Sequence, residues 1–91
     1  MRKIVQIQLE DIEDVSQVEC ATFSQAWPSS YFSAVLAAPN VLCVGSVEGG
    51  ELGAYALGFI DTQCFRLSSI AVVPILRRRG CGEALLRYVL A

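Results

Sequence analysis

The segment Ile70–Leu86 constrains the fold of this chain more than any other part of its sequence. Ile70–Val73 is apolar on both faces, which predicts a central strand with helices above and below it. Pro74 ends the strand, and the loop after it contains the sequence Arg77-Arg78-Arg79-Gly80-Cys81-Gly82. Apolar residues then recur along one face of a helix. A buried strand that leads through a basic loop into an amphipathic helix predicts an α/β domain.

The rest of the chain predicts an antiparallel sheet with two more helices. Val5, Ile7 and Leu9 alternate with polar residues, as in a half-exposed strand, and helical spacing follows over Ile12–Thr22. The acidic cluster Glu10–Asp14 suits the positive end of that helix. A short helix that begins at Ser29 or Ser30 and three strands follow, the strands at Val41–Val47, Leu52–Ile60 and Phe65–Val73, with a tight turn at Gly49-Gly50. The predicted fold class is α/β (α+β), a mostly antiparallel sheet with helices on its faces in the order β-α-α-β-β-β-α.

The composition excludes several classes of protein. At 91 residues the chain is one domain at most. With 54% apolar and 18% charged residues it is too apolar for a disordered chain. No run approaches the roughly 18–20 uncharged apolar residues of a membrane span. The formal charge of −2 argues against nucleic acid, which needs a positive field. We therefore expect a globular domain that binds neither nucleic acid nor membrane.

Four cysteines and no histidine limit the chemistry of the chain. The cysteines form no closely spaced pair, so no metal site is expected. We expect Cys20, Cys43 and Cys64 to be free thiols in the core, as in proteins of the reducing cytoplasm. Cys81 is interpreted as an apolar plug, the alternative being a thiol activated by the helix start. The absence of histidine removes the commonest general base.

The loop before the last helix has the properties of an anion site. The first amides of a helix are unpaired and carry partial positive charge. Glycines at positions 80 and 82 would let a diphosphate approach those amides, and the arginines at 77–79 would clamp it. The Walker and dinucleotide patterns do not fit, because Glu83 replaces the lysine and Leu85 the third glycine. A solvated basic loop, a weak nucleic-acid patch and a nucleotide-binding module remain as alternatives.

The same segment resembles the coenzyme A-binding motif of the GNAT superfamily of N-acetyltransferases. The family signature R/Q-x-x-G-x-G/A is matched by residues 77–82, and the family's strand end I-A-V-x-P by Ile70–Pro74. The stretch that contains Phe23, Trp27, Ser29 and Phe32 looks like the ribosomal-protein-alanine N-acetyltransferase branch. Together with the order of elements, the resemblance covers essentially the whole chain and implies the N-terminal part of a GNAT fold.

The resemblance implies a site for acetyl-CoA as co-substrate. In the family, the strand backbone pairs with the pantetheine arm, one amide holds the thioester carbonyl, and the loop amides cradle the pyrophosphate. On this sequence the cofactor-binding residues would be Ile70, Ala71, Val72, Arg77, Arg78, Arg79, Gly80, Cys81, Gly82 and Glu83. The implied acceptor is an amine at a protein or peptide N-terminus, such as the N-terminal alanine of a ribosomal protein.

The chain departs from the family pattern after its last helix. In the alanine acetyltransferase branch, the base is a glutamate on a following strand and the acid a tyrosine on a following helix. No position here matches either, so we assign no catalytic residue. We expect residues 1–91 to form an incomplete GNAT domain that lacks the C-terminal strands and helix. The open edge of the Phe65–Val73 strand would favour self-association. The alternative function is a truncated, catalytically silent chain that binds coenzyme A or a partner.

Five other residues carry weaker hypotheses. Glu19 and Asp61 are the only carboxylates with apolar flanks that could face a cleft, but neither is expected to act as a base. Trp27, Tyr31 and Phe32 either line an acceptor groove or pack a short helix against the sheet. The sequence alone favours packing slightly.

Overall fold

The computed structural model describes residues 2–62, 64–73 and 81–90, and it confirms the predicted order of elements. The strands are β1 (Arg2–Gln6), β2 (Val41–Glu48), β3 (Glu51–Asp61) and β4 (Cys64–Val72). The helices are α1 (Ile12–Thr22), α2 (Ser29–Leu36) and α3 (Cys81–Leu90), with a 3-10 turn at Leu9–Asp11. The described chain therefore has the mixed α/β architecture that its sequence predicts.

The strands form one antiparallel sheet in the order β1-β2-β3-β4. Val44 of β2 lies opposite Ala56 of β3, and Ala56 lies opposite Ile70 of β4. The β2–β3 hairpin turns through Gly49 and Gly50, whose φ angles of +63° and +82° are left-handed. Glycine adopts such angles without steric cost, which is why the sequence predicts this turn correctly.

The sheet separates two apolar layers. On one face, α1 and α2 cover a layer that includes Phe32 and Tyr55, both fully buried. On the other face, α3 places Leu85 against Val44 and Ala56. Neighbouring residues of a strand point to opposite faces, so β3 contributes to both layers. Each large apolar side chain that is fully buried contributes roughly 1.5–3 kcal/mol, so both layers stabilise the fold.

The first strand ends earlier than the alternation of apolar residues predicts. β1 stops at Gln6, and although Ile7 is buried, Leu9 is 54% exposed. The N–H of Gln8 donates a hydrogen bond to the Asp11 carboxylate at 2.9 Å, and the N–H of Asp11 donates to the carbonyl of Gln8 at 2.9 Å. This reciprocal capping turn takes the backbone out of the sheet before Leu9. Asp11 therefore caps the 3-10 turn, and Glu13 and Asp14 lie in the first turn of α1, at the positive end of the helix as expected.

Strand β4 lies at the edge of the sheet that the structure describes, which agrees with the open edge expected for the Phe65–Val73 strand in this chain and not with the central position that its apolar run alone predicts. Among the described strands, β4 pairs with β3 alone. The expectation of helices on both sides is confirmed, because Ala71 belongs to the α1–α2 layer and Ile70 and Val72 to the α3 layer. A run that is apolar on both faces thus indicates two covering layers, not two neighbouring strands.

Only one of the cysteine side chains in the described ranges is buried. Cys43 in β2 is 2% exposed, and burial raises the pKa of its thiol from 9.0 to about 12. Cys20 and Cys64 are exposed, which contradicts their expected place in the core. Cys20 lies off the α1 face that buries Val18, and Cys64 begins β4 beside an exposed turn. The side chain of Cys81 lies outside the described residues.

Candidate functional site

A buried carboxylate, that of Glu19, lies at the centre of the candidate site. It shares the sheet-facing side of α1 with Val15 and Val18, and its exposed fraction is 3%. Glu19 Oε1 accepts a hydrogen bond from the hydroxyl of Tyr55 at 2.5 Å, and Oε2 accepts one from the backbone N–H of Trp27 at 3.0 Å. Removing a carboxylate from water is costly unless its oxygens are hydrogen-bonded, so these two bonds allow Glu19 to lie on an apolar face.

The hydroxyl of Tyr55 links Glu19 to the edge strand. Tyr55 is fully buried, and burial together with its hydrogen bond to Glu19 raises the pKa of the hydroxyl well above its usual range. The hydroxyl therefore keeps its proton and donates a hydrogen bond to Glu19. Ser69 Oγ, on β4, lies 3.1 Å from Tyr55 Oη. Since the single proton of Tyr55 is already donated, Ser69 is the donor in this second bond.

The bond from Trp27 to Glu19 fixes the loop between α1 and α2. The ring centroid of Trp27 lies 4.4 Å from that of Tyr31 and 6.1 Å from that of Phe32. Phe32 is fully buried and makes an edge contact of 5.8 Å with the ring of Tyr55. Three aromatic residues were considered for an acceptor groove. Phe32 is a core residue and Tyr31 packs beside it. Trp27 packs against both and also lines the pocket that is described next.

A pocket of about 360 Å³ opens between this loop and β4. Its lining consists of Glu19, Phe23, Ser24, Gln25, Trp27, Ser68 and Ser69. The volume lies within the range of roughly 300–1,000 Å³ that is typical of small-molecule sites. The described lining therefore combines one carboxylate with hydroxyl groups, one side-chain amide and two aromatic rings, and it includes no basic side chain.

The second part of the candidate site is the contact between β4 and the start of α3. A Cβ added at Gly82 would lie 3.7 Å from Val72 Cγ2 and 3.8 Å from Ile70 Cδ1, which is ordinary van der Waals contact. Glu83 is exposed and forms an ion pair of 2.6 Å with Arg87, one helical turn further along α3. The structure thus brings together Ile70, Val72 and Gly82 of the set that the sequence predicts.

Successive residues of β4 point their backbone N–H and C=O groups alternately toward β3 and away from it. The N–H of Val73 donates to the carbonyl of Gly53 at 2.9 Å. Alternate residues of an antiparallel pair bond to the partner strand, so Ala71, opposite Tyr55, also turns its backbone groups toward β3. Ile70 therefore directs its N–H and C=O away from β3. The side chain of Ala71 is buried in the layer of α1 and α2, away from Gly82.

The basic loop itself lies outside the described residues. This applies to Arg77, Arg78, Arg79 and Gly80, and to the side chain of Cys81. Their roles stay predictions.

The two candidate carboxylates have different surroundings. Asp61 is exposed near the β3–β4 turn and forms an ion pair of 3.5 Å with Arg66. Glu19, in contrast, lines the pocket. The sequence indicates this inward position, because Glu19 falls on the apolar face of α1. The sequence does not indicate the contact between Tyr55 and Ser69, because that contact depends on the register of β3 against β4.

Within the described residues, no helix has both the length and the apolar character that crossing a membrane requires. The same residues contain no cluster of three or more His, Cys, Asp or Glu side chains that could hold a metal ion.

Comparison with known proteins identifies the family. The acetyltransferase (GNAT) family profile matches residues 12–91. The N-alpha-acetyltransferase RimI of Mycobacterium tuberculosis (strain ATCC 25618 / H37Rv) is 33% identical over 86 residues, which cover 88% of this chain and 54% of that protein. This chain belongs to the GNAT family of acetyltransferases. It spans about half the length of the curated relatives that it matches.

Solved structures share the fold. The crystal structure of the ribosomal-protein-S18-alanine N-acetyltransferase from Escherichia coli has a TM-score of 0.91 at 23% identity, and the match covers 99% of this chain and 57% of that one. The aminoglycoside N-acetyltransferase AAC(6')-Iy in complex with CoA has a TM-score of 0.81 at 19% identity, and the match covers 99% and 67%. Proteins with this fold thus include one that binds CoA.

Proposed function

We propose that this chain is the acetyl-CoA-binding part of an N-acetyltransferase that acts on α-amino groups, such as the N-terminal alanine of a ribosomal protein. Family membership supports the reaction class. The names of the M. tuberculosis relative and the E. coli structure support the acceptor. The observation that carries the proposal is the packing of Gly82 against Ile70 and Val72, because it joins a strand edge to a helix start.

The described residues fit such a co-substrate in three ways. Ile70 directs its backbone groups to the side of β4 that faces away from β3, where an extended arm would add as a strand does. Gly82 has no side chain at the start of α3, where the helix dipole favours an anion. The ion pair of Glu83 with Arg87 draws that carboxylate along α3, away from the first amides. The full proposed set is Ile70, Ala71, Val72, Arg77, Arg78, Arg79, Gly80, Cys81, Gly82 and Glu83.

The chemistry of the reaction favours an N-terminal amine. When bound, acetyl-CoA supplies a thioester whose C–S bond breaks as a C–N bond forms, and the proton of the amine ends on the released thiol. An α-amino group, with a reference pKa of roughly 8, becomes neutral more readily than a lysine side chain at about 10.4. The protein would contribute mainly by holding both reactants in one orientation, which makes their encounter unimolecular.

Calorimetric titration of the chain with acetyl-CoA tests the proposal. The Cβ of Gly82→Asp would make only ordinary van der Waals contacts, and an acidic residue suits a helix start, so the variant should fold. Its charge should repel the pyrophosphate and weaken acetyl-CoA binding by about tenfold or more, a change of about 1.4 kcal/mol. Gly82→Asn is the matched neutral control and should lose less. Equal binding by the unsubstituted chain and Gly82→Asp would contradict the proposal.

Two further measurements separate the alternatives. Release of free thiol from acetyl-CoA in the presence of an alanine-initiated peptide measures turnover. Binding without release would identify the catalytically silent, CoA-binding alternative. Competition between CoA and ATP tests the nucleotide-binding alternative, which requires ATP to displace CoA.

A further inference from the structure

We propose that the pocket beside Glu19 binds the primary ammonium group of the acceptor, with Ser69 Oγ and the Glu19 carboxylate as its hydrogen-bond acceptors. The inference rests on the proposed function, because it names the residues that recognise the acceptor in that reaction. The recognised chemistry is a free amino terminus.

The direction of the hydrogen bonds leaves acceptors on the pocket wall. The Tyr55 hydroxyl donates its hydrogen bond to Glu19, and the Ser69 hydroxyl donates its hydrogen bond to Tyr55. Each hydroxyl has one proton, so neither has a second to donate. What remains toward the pocket is the spare lone pairs of the Glu19 carboxylate and of Ser69 Oγ. A ligand that bonds to Glu19 and Ser69 must therefore be a hydrogen-bond donor.

The charge of the pocket selects a cation among the possible donors. Glu19 is 3% exposed, and the described lining of the pocket contains no basic residue. The ion pairs in the described part of the chain, Asp61 with Arg66 and Glu83 with Arg87, lie on the exposed surface and do not involve Glu19. Coulombic attraction is stronger in a partly desolvated site than in water. A primary ammonium matches both requirements, with three donors and one positive charge.

The aromatic residues of the pocket suit the neighbourhood of such a group. Phe23 is 40% exposed and Trp27 is half-buried, and both line the pocket with Glu19. Aromatic faces attract cations and also cover small apolar groups. The volume of about 360 Å³ suits a small residue and the peptide bond that follows it.

The fluorescence of Trp27 provides a direct test, because it is the only tryptophan in the chain and it lines the pocket. The chain is titrated with the peptide Ala-Ala-Ala-amide and with the same peptide acetylated at its N-terminus. A third ligand is lysine-amide acetylated at its α-amino group (acetyl-lysine-amide), which has an ammonium group only on its side chain. We expect a saturable change with the free peptide alone. Equal binding of the acetylated peptide would overturn ammonium recognition, and equal binding of acetyl-lysine-amide would overturn selectivity for the N-terminus.

Variants assign the binding to the named residues. Glu19→Gln keeps the shape of the side chain and should weaken binding of the free peptide by about tenfold or more. Glu13→Gln removes the same charge from an exposed position of the same helix and should change nothing. Ser69→Ala removes one oxygen from the edge strand and should weaken binding by about threefold. If circular dichroism shows that Glu19→Gln does not fold, Ser69→Ala decides, and unchanged affinity in that variant would overturn the inference.

Parallel titration with acetyl-CoA separates this inference from the proposed function. Glu19→Gln should retain acetyl-CoA binding, and Gly82→Asp should lose it while still binding the free peptide. If acetyl-CoA binds and the peptide does not, the ammonium site is wrong and the proposed function stands. If the peptide binds and acetyl-CoA does not, the proposed function is wrong.

Discussion

Tyr55 and Glu19 are joined by a hydrogen bond of 2.5 Å across 36 positions of the sequence, so that one bond connects α1 to an interior strand of the sheet. Both side chains are buried. A second bond of 3.1 Å continues from Tyr55 to Ser69 on the edge strand. The helix, the interior strand and the edge strand therefore share one polar network, and the wall of the candidate pocket depends on the same atoms as the stability of the fold.

The substitution Tyr55→Phe tests the contribution of this network to stability. It removes the donor of one Glu19 oxygen and leaves a buried carboxylate with a missing partner, so the free energy of unfolding should fall by about 1–3 kcal/mol. Urea denaturation measures the change. Tyr31→Phe is the matched control, since the contacts of Tyr31 are made by its ring and its backbone N–H, and it should cost less than about 0.5 kcal/mol. Equal effects of the two variants would contradict the role of the Tyr55 hydroxyl.

Alkaline pH should destabilise the fold through two buried acids. The pKa of Cys43 is about 12 in the folded chain against an ordinary 9.0, and the pKa of Tyr55 is also raised above its ordinary 10.0. Below the ordinary values both groups are protonated in both states, and their contribution is fully present. As pH rises further, the unfolded chain loses these protons first. The free energy of unfolding should then fall by about 1.4 kcal/mol per pH unit for each group, until the folded group also ionises.

Denaturation by urea at about pH 8 and about pH 10 measures this dependence. Cys43→Ala should reduce the loss of stability between the two pH values, whereas Cys20→Ser, at an exposed position, should not. An unchanged pH dependence in Cys43→Ala would show that another group causes the alkaline loss.

The order of elements was predictable because most of its signals are local. The hairpin turn at Gly49-Gly50 and the apolar face of α1 depend on residues close together in the sequence. The alternation of apolar residues predicts a longer β1 than the structure has. The Asp11 side chain caps the N–H of Gln8 and ends the strand earlier, and the pattern of apolar residues does not indicate such a cap. The apolar run of β4 alone predicts a central strand, whereas β4 is an edge strand in the described sheet, because a run that is apolar on both faces indicates only that helices cover both sides. The open edge of this strand was expected from the family resemblance.

The sequence predicts only those parts of the candidate site that belong to a sequence motif or to one face of a helix. The approach of Gly82 to Ile70 follows from the strand-to-helix motif, and the inward position of Glu19 follows from the spacing along α1. The contact between Tyr55 and Ser69 does not follow from the sequence, since it depends on which residues of β3 and β4 lie diagonally opposite each other. Pairing register is a long-range property that a hydrophobic pattern in one strand leaves open.

Gly58 of β3 should not tolerate a side chain. A Cβ at this position would overlap the carbonyl oxygen of Arg66 and the ring of Phe65, at the point where the register of β3 against β4 shifts. Because backbone cannot yield as a flexible side chain does, Gly58→Ala should destabilise the fold by about 1–3 kcal/mol. Gly82→Ala is the control, since its Cβ has room and alanine favours a helix by up to about 1 kcal/mol. Thermal unfolding by circular dichroism should show a lower Tm for the first variant alone, and equal midpoints would be incompatible with the described register.

The cysteines with described surroundings should differ sharply in reactivity. Cys20 and Cys64 are exposed, whereas Cys43 is 2% exposed and has its pKa raised to about 12. Alkylation requires the thiolate, whose fraction at neutral pH is about a thousandfold lower for Cys43 than for an ordinary thiol, and the reagent must also reach it. Brief treatment with iodoacetamide, followed by peptide mass spectrometry, should therefore label Cys20 and Cys64 but not Cys43. In denaturant all three should react alike, and rapid labelling of Cys43 in the folded chain would mean that β2 is not buried as described.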